Sequence, residues 1–230
     1  MTLKLIAKEH LIDNVWSFRF EPKQPLSWTA GQFIRVELEH DNPDQEGTKR
    51  WFTISSAPFE GLIQITTRIT NSSFKQALSK LEAGSEQLVC VDLPDGDFTW
   101  QPTGDETVFI AGGIGITPFY SILKQCLHDG ANYPLNITLL YGTRDNMIPF
   151  KDELEAWQEA NNSLKVIFVS GEPLDSHKIT TLLPSINNLR VYLSGPEPMV
   201  EKLGNDLMTN GLPKDQLKQD FFPHYNEQNY

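Results

Sequence analysis

The chain has 230 residues, 39% hydrophobic and 21% charged, a globular balance that excludes wholesale disorder and suffices for one large domain or two small ones. Lys and Arg number 19 against 30 Asp and Glu, and the formal charge of -11 disfavours nucleic acid and anionic membranes as partners. No window reaches the roughly 20 apolar residues of a membrane span and the apolar part of the N-terminus is too short for a signal peptide, so the expected location is cytoplasmic. Two cysteines, Cys90 and Cys126, exclude a four-cysteine iron–sulfur cluster and a disulfide framework. The histidines are scattered without ligand spacing, and no metal site is expected.

From the N-terminus, short segments follow one another between turn residues: Leu3–Ala7, Val15–Phe20, Phe33–Glu39, Trp51–Ser55, Leu62–Thr67 and Gln87–Asp92. Many alternate apolar and polar residues, as in Phe33-Ile34-Arg35-Val36-Glu37-Leu38, the pattern of strands with one buried face. The expectation is an antiparallel Greek-key β-barrel over residues 1–101. The segment Asp41–Gly47 has turn composition and is read as an exposed loop without chemistry. Arg50-Trp51-Phe52-Thr53 reads as a strand, with Arg50 and Phe52 on one face and Trp51 and Thr53 on the other. One helix interrupts the strands: Asn71, Ser72 and Ser73 offer N-caps, Phe74, Ala77, Leu78 and Leu81 follow at helical spacing, and Gly84 stops the run. It caps the open barrel, and its N-terminus beside Arg68 is also a candidate anion site.

After Gln101-Pro102-Thr103-Gly104-Asp105 the pattern changes to apolar runs alternating with helical segments: Thr107–Ala111 and Phe119–His128, Ile137–Tyr141 and Phe150–Ala160, Val166–Ser170 and His177–Leu183, Val191–Ser194 and Met199–Met208. This predicts an α/β domain with a parallel sheet over residues 102–230, whose ligand sits at the carboxyl ends of the strands. Glycine stands at or just past each of those ends: Gly112 and Gly113, Gly142 followed by Thr143 and Arg144, Gly171, and Gly195. In Val108–Pro118 a strand breaks into Gly112, Gly113 and Gly115, and Thr117 precedes Pro118, whose fixed φ suits a first helical position. Such a turn either cradles a diphosphate or simply joins strand to helix.

Three motifs in this order, Arg50-x-Phe52-Thr53, Arg68-x-x-x-Ser72, and Gly112-Gly113-x-Gly115-x-Thr117-Pro118, resemble the ferredoxin–NADP reductase superfamily over nearly the whole chain. The resemblance implies a flavoprotein oxidoreductase in which hydride passes from NADH or NADPH to FAD. Arg50 would then pair with the FAD diphosphate, Phe52 would pack on the isoalloxazine, the Thr53 hydroxyl would approach flavin N5, and Trp51 would belong to the same cofactor site. Arg68, Ser72 and Ser73 would form the diphosphate-binding helix entrance, and Thr67, Ile69 and Phe74 would belong to the same cofactor site. Many relatives have Tyr in place of Phe52, and a Phe there resembles the flavin-reductase branch, in which flavin is a diffusible substrate. Ser194-Gly195-Pro196-x-x-Met199 resembles the family's Cys-Gly-Pro-x-x-Met nucleotide motif with Ser for Cys. Thr53 and Ser194 are the implied catalytic residues, acting by positioning, because the cofactors carry the chemistry. Glu172, two residues past Ser170, opposes a 2′-phosphate and favours NADH, with Arg144 and Lys178 as possible counterweights. Phe222 or Tyr225 either covers the flavin or belongs to a frayed tail. The implied acceptor is a separate molecule such as ferredoxin, flavodoxin or a cytochrome, and the net acidity weighs against an acidic carrier. The alternatives are an NAD(P)H:flavin reductase and a noncatalytic nucleotide-binding subunit of a redox complex.

Overall fold

The computed structural model describes residues 1–101, 105–130, 136–143, 146–172, 174–183 and 189–221. Arg144, Phe222 and Tyr225 therefore lie outside the described residues. Contacts divide the described residues into two units, Met1–Trp100 with Thr117–His128, and Gln101–Ile116 with those between Asp129 and Phe221.

The first unit is built on six antiparallel strands: β1 (Thr2–Ile12), β2 (Val15–Pro22), β3 (Phe33–Leu38), β4 (Lys49–Thr53), β5 (Ile63–Arg68) and β6 (Leu88–Cys90). Their order in the sheet is β4-β3-β6-β1-β2-β5, so β6 lies between β1 and β3 in a non-local, Greek-key arrangement. The edges meet beyond β4, where the Ser55 N–H donates to the Gln64 carbonyl at 2.9 Å. In β3 the alternation buries Ile34, Val36 and Leu38 and leaves Phe33, Arg35 and Glu37 half-buried. β1 runs on past the expected Ala7 to Ile12, paired with β2 throughout, and register shifts between Leu5 and Ala7 and between His10 and Ile12 interrupt its alternation. Helix α1 (Ser73–Lys80) buries Phe74 and Leu78 in a core with Phe18, Phe20, Phe52 and Ile65.

The second unit holds β7 (Thr107–Gly112), β8 (Ile137–Thr143), β9 (Leu164–Ser170), β10 (Arg190–Ser194) and β11 (Leu217–Asp220), with helices α3 (Lys151–Ala160), α4 (Ser176–Leu182) and α5 (Glu197–Thr209); the helix after β7, α2 (Ile116–Asp129), belongs to the first unit over Thr117–His128. All pairings are parallel, in the order β11-β10-β7-β8-β9. Every residue of β7 is buried, as a central strand covered on both faces requires. The strand β11 lies in a stretch that reads from sequence as a polar tail. It forms because its backbone pairs with β10 from Val191↔Leu217 to Ser194↔Asp220, a signal no side-chain period carries.

Within the first unit, α2 is fastened to the segment after β4. Ser121 Oγ donates to the Ser56 carbonyl at 2.6 Å, Lys124 pairs with Glu60 at 2.8 Å, and Phe59 stacks on His128 at 3.8 Å. The helix starts earlier than expected: Ile116 is its first residue, and Pro118 sits third rather than first. Proline is still tolerated there, because the first four helical N–H groups have no partner within the helix.

Candidate functional site

In the first unit the chemistry gathers at the N-terminus of α1. Alternation along β4 turns Arg50 and Phe52 inward, and Arg50 is 3% exposed rather than a surface residue. Its Nη2 donates to Asp44 Oδ1 at 2.7 Å and reaches Ser72 Oγ at 3.4 Å, while Nη1 donates to the carbonyls of Glu46, Gly47 and Lys49. Arg50 Nε lies 3.0 Å from Glu46 Oε2, an ion pair in which the buried Nε–H still lacks a hydrogen bond. The loop Asp41–Gly47, expected to carry no chemistry, thus supplies both carboxylates around this guanidinium.

Asp44 also caps the helix. Ser72 makes no side-chain cap bond of its own; instead Asp44 Oδ2 accepts from the Ser73 N–H at 2.9 Å, and the Asp44 N–H donates to Ser73 Oγ at 2.9 Å. His40 holds the same hydroxyl, with Nε2 2.9 Å from Ser73 Oγ and Nδ1 2.7 Å from the Leu38 carbonyl. Burial alone would raise the Asp44 carboxyl, but the Ser73 N–H and hydroxyl together with the Arg50 guanidinium outweigh it and hold it at about 2. Lys75 is almost fully buried beside them. Burial pushes its ammonium down to about 8, with Glu46 acting against the shift and Arg50 and Arg68 adding to it.

The remaining candidates of this unit are spread along two strands. Arg68 Nη1 donates to Asn14 Oδ1 at 3.1 Å, in the turn between β1 and β2, and the Ile69 N–H donates to the Asn14 carbonyl. Phe52 is 6% exposed and packs against Phe74, ring centroids 5.8 Å apart, so the outward ring of β4 is Trp51 at 39%. Trp51 meets Phe33 edge to face and lies under the Arg35 guanidinium. Thr53, expected on the face of Trp51, is buried with the following Ile54–Ala57, and Thr67 is buried opposite Trp16.

In the second unit the strand order reverses between β7 and β10, and such a switch point opens a crevice at the carboxyl ends. Gly112 ends β7, Gly113 turns the chain at φ +56°, and Gly115 leads into α2. Opposite stand Ser194, Gly195 and Pro196. A Cβ on Gly115 would fall 2.4 Å from the Ser194 carbonyl oxygen, and one on Gly112 would fall 2.3 Å from Met199 Sδ. The two loops touch through backbone, and glycine is what lets them do so. Thr117 is buried, and Gly142 and Thr143 end the adjacent β8. Ser194 is fully buried, and its Oγ donates to Asp220 Oδ2 at 3.1 Å, tying β10 to β11. Ser194→Ala is expected to lower stability by about 1–2 kcal/mol through the lost bond to a carboxylate, measured by urea denaturation. Glu172 forms an ion pair with Lys178, and Ser170 Oγ donates to Asn146 at 2.8 Å.

Sequence reasoning missed Asp44, Glu46, Lys75 and Asp220. For the first two a signal existed: carboxylates six and four residues before Arg50, in a turn-forming segment that can fold back on it. Asp220 gave no local cue.

Residues 109–204 match the family model described as the oxidoreductase NAD-binding domain. The chain is 26% identical over 240 residues to an NAD(P)H-flavin reductase of Aliivibrio fischeri, covering 95% of this chain and 97% of that protein. It is 25% identical over 228 residues to a flavohemoprotein of Burkholderia sp. (strain TH2), covering 91% of this chain and 56% of the relative. With several curated relatives, this flavohemoprotein and that of Dictyostelium discoideum among them, the chain spans less than two thirds of the matched protein. Among solved structures, a ferredoxin NADP+ reductase from Neisseria gonorrhoeae with bound FAD and NADP aligns with a TM-score of 0.80 at 18% identity, over 96% of this chain and 97% of that one. Residues 109–204 therefore match an oxidoreductase NAD-binding domain, and the chain has the fold of the ferredoxin–NADP reductase family.

Proposed function

We propose that this chain is a flavin-dependent NAD(P)H oxidoreductase: residues 1–101 bind FAD, residues 102–230 bind the nicotinamide nucleotide, and electrons leave to a separate acceptor. The observation that carries this reading is the switch point of the second unit, where Gly112 and Gly115 let the turn after β7 lie against Met199, Ser194 and Gly195, while Gly113 between them faces open space. Gly113 would admit the diphosphate to the backbone N–H groups of this turn, and Gly112 and Gly115 hold the turn against Gly195, Pro196 and Met199. In the first unit the charges fit an anionic ligand: Arg50 keeps a buried N–H without a hydrogen bond, and Ser72, Ser73 and Lys75 stand beside it. FAD, when bound, would supply the hydride acceptor and release electrons singly or in pairs. Thr53 and Ser194 are assigned positioning roles, Phe52 and Trp51 the aromatic surroundings of β4.

The nucleotide is NADH in preference to NADPH, since Lys178 is already engaged by Glu172 and adds no uncommitted cation for a 2′-phosphate. Reductase components among the relatives, such as the phthalate 4,5-dioxygenase reductase subunit of Pseudomonas putida, support a separate acceptor. A second reading, flavin as a substrate, is favoured by the match along nearly the whole NAD(P)H-flavin reductase and by the carboxylates already paired with Arg50. No described helix is long and apolar enough to cross a membrane, and a cytoplasmic location belongs to the same proposal.

The test is an anaerobic absorbance spectrum of the protein reconstituted with FAD and then given one equivalent of NADH. Bleaching of the flavin band, faster with NADH than with NADPH, is the expected result. A band that neither nucleotide bleaches would replace the proposal with a noncatalytic binding subunit. Loss of all flavin on desalting, with turnover when flavin is added back, would select the flavin-substrate reading.

A further inference from the structure

We propose that Asp44 and Glu46 are a built-in counter-anion at the Arg50 site, so that a phosphate-bearing flavin binds there only by displacing them, whereas an uncharged flavin binds without doing so. This rests on the reading of the first domain as flavin-binding and names the flavin class that it selects.

The donors that would hold a flavin phosphate are the Arg50 guanidinium and the first N–H of α1. Both are taken by one side chain: Asp44 accepts from Arg50 at 2.7 Å through one oxygen and from the Ser73 N–H at 2.9 Å through the other. That is the bridging role a phosphate plays between a guanidinium and a helix N-terminus. Glu46 adds a second charge at 3.0 Å, without a hydrogen bond to the buried Nε–H. Two carboxylates therefore stand among Arg50, Lys75 and Arg68, and a diphosphate replacing them would leave the local charge balance unchanged. Asp44 stays ionised at any working pH, held at about 2 by the partners it shares with the would-be ligand.

The geometry also permits displacement. The Asp44 and Glu46 side chains are 31% and 48% exposed, against 3% for Arg50, so the carboxylates face water while the guanidinium cannot leave. Their loop is a surface turn, closed by the Gly47 N–H on the Asp44 carbonyl and by Leu38 with Thr48 at its base. Displacing them costs the paired contacts and returns hydration, and the phosphate gains what the carboxylates lose. Discrimination between phosphorylated and unphosphorylated flavins is thereby cancelled at this site.

The experiment titrates the full chain with riboflavin, FMN and FAD, following flavin fluorescence, for the wild type, Glu46→Gln and Asp44→Asn/Glu46→Gln. The wild type is expected to bind the three flavins within about threefold of one another, and the double variant to bind FMN and FAD about ten- to hundredfold tighter with riboflavin unchanged. Glu46→Gln, which leaves every Asp44 contact in place, shifts the same ratio in the same direction by less and serves if the double variant does not fold. A wild type that already binds FAD about a hundredfold tighter than riboflavin, or variants that leave the FAD to riboflavin ratio unchanged or lower it, would overturn the proposal while flavin binding itself stands. Absence of binding for all three flavins in every protein would overturn the flavin reading, and this inference with it.

Discussion

Gly115→Ala is expected to destabilise the second unit by about 2–3 kcal/mol and to weaken NADH binding by at least about tenfold. The new Cβ would meet the Ser194 carbonyl oxygen at 2.4 Å, the Ser194 carbonyl carbon at 2.6 Å and Gly195 Cα at 2.7 Å. These are backbone atoms at the end of β10, hydrogen-bonded into a ladder with β7 on one side and β11 on the other, so they cannot step aside singly. The strain must be relieved by parting the two loops that form the crevice, which couples the stability loss to the binding loss. Gly112→Ala is the internal control. Its Cβ meets the Met199 thioether at 2.3 Å, a flexible side-chain end that can swing away, and its cost is expected to be smaller. Chemical denaturation followed by NADH titration checks both, and a Gly115→Ala protein with wild-type stability and affinity would show that the close approach to Ser194 governs neither.

Arg50→Met carries the second large effect, a loss of about 3 kcal/mol in stability together with about tenfold weaker FAD binding. Methionine fills part of the arginine stem's volume, but the carboxylates of Asp44 and Glu46 lose the buried cation that holds them, and α1 loses the geometry of its cap. Because both carboxylates are partly exposed they can rehydrate, which keeps the cost toward the lower end of that for a broken buried pair. The loss depends on pH with a definite sign. Asp44 is held at about 2 in the folded chain against 3.8 ordinarily, so its contribution is complete above pH 3.8 and disappears as pH falls toward 2. The gap between Arg50→Met and wild type is therefore expected to be widest near neutrality and to narrow below pH 3.8. Denaturation midpoints at pH 7 and pH 3 measure it, and a gap that stays constant would show that Asp44 is not the partner that matters.

The turn at Gly112, Gly113 and Gly115 announces itself because a strand run, a loss of side chains and a helix start occur within a dozen consecutive residues. The same holds for the glycines at Gly142, Gly171 and Gly195 and for the alternation of β3. What these residues touch is another matter. That Gly115 faces the Ser194 carbonyl depends on β10 crossing back to lie beside β7, some eighty residues apart in the chain, as the pairing of Val108 with Val191 shows.

Arg50 shows the limit most clearly. Alternation placed it on the face of Phe52, but its burial and its pairing with Asp44 and Glu46 arise only when the 41–47 loop folds back over β4 and meets α1. Lys75 lies on a helix that reads as amphipathic, and its near-complete burial is invisible until the surrounding charges are assembled. β11 and its Asp220 bond to Ser194 follow the same rule, since a short polar stretch becomes a strand only where an edge awaits it. The sequence by itself determined the two-part architecture, the strand and helix periods and the glycine turns, because each rests on local backbone preference or on the spacing of apolar residues. Only the tertiary structure decided which charges meet, which glycines lie against backbone, and that a carboxylate of this chain already stands at its own candidate anion site, because those are contacts between segments that no local pattern relates.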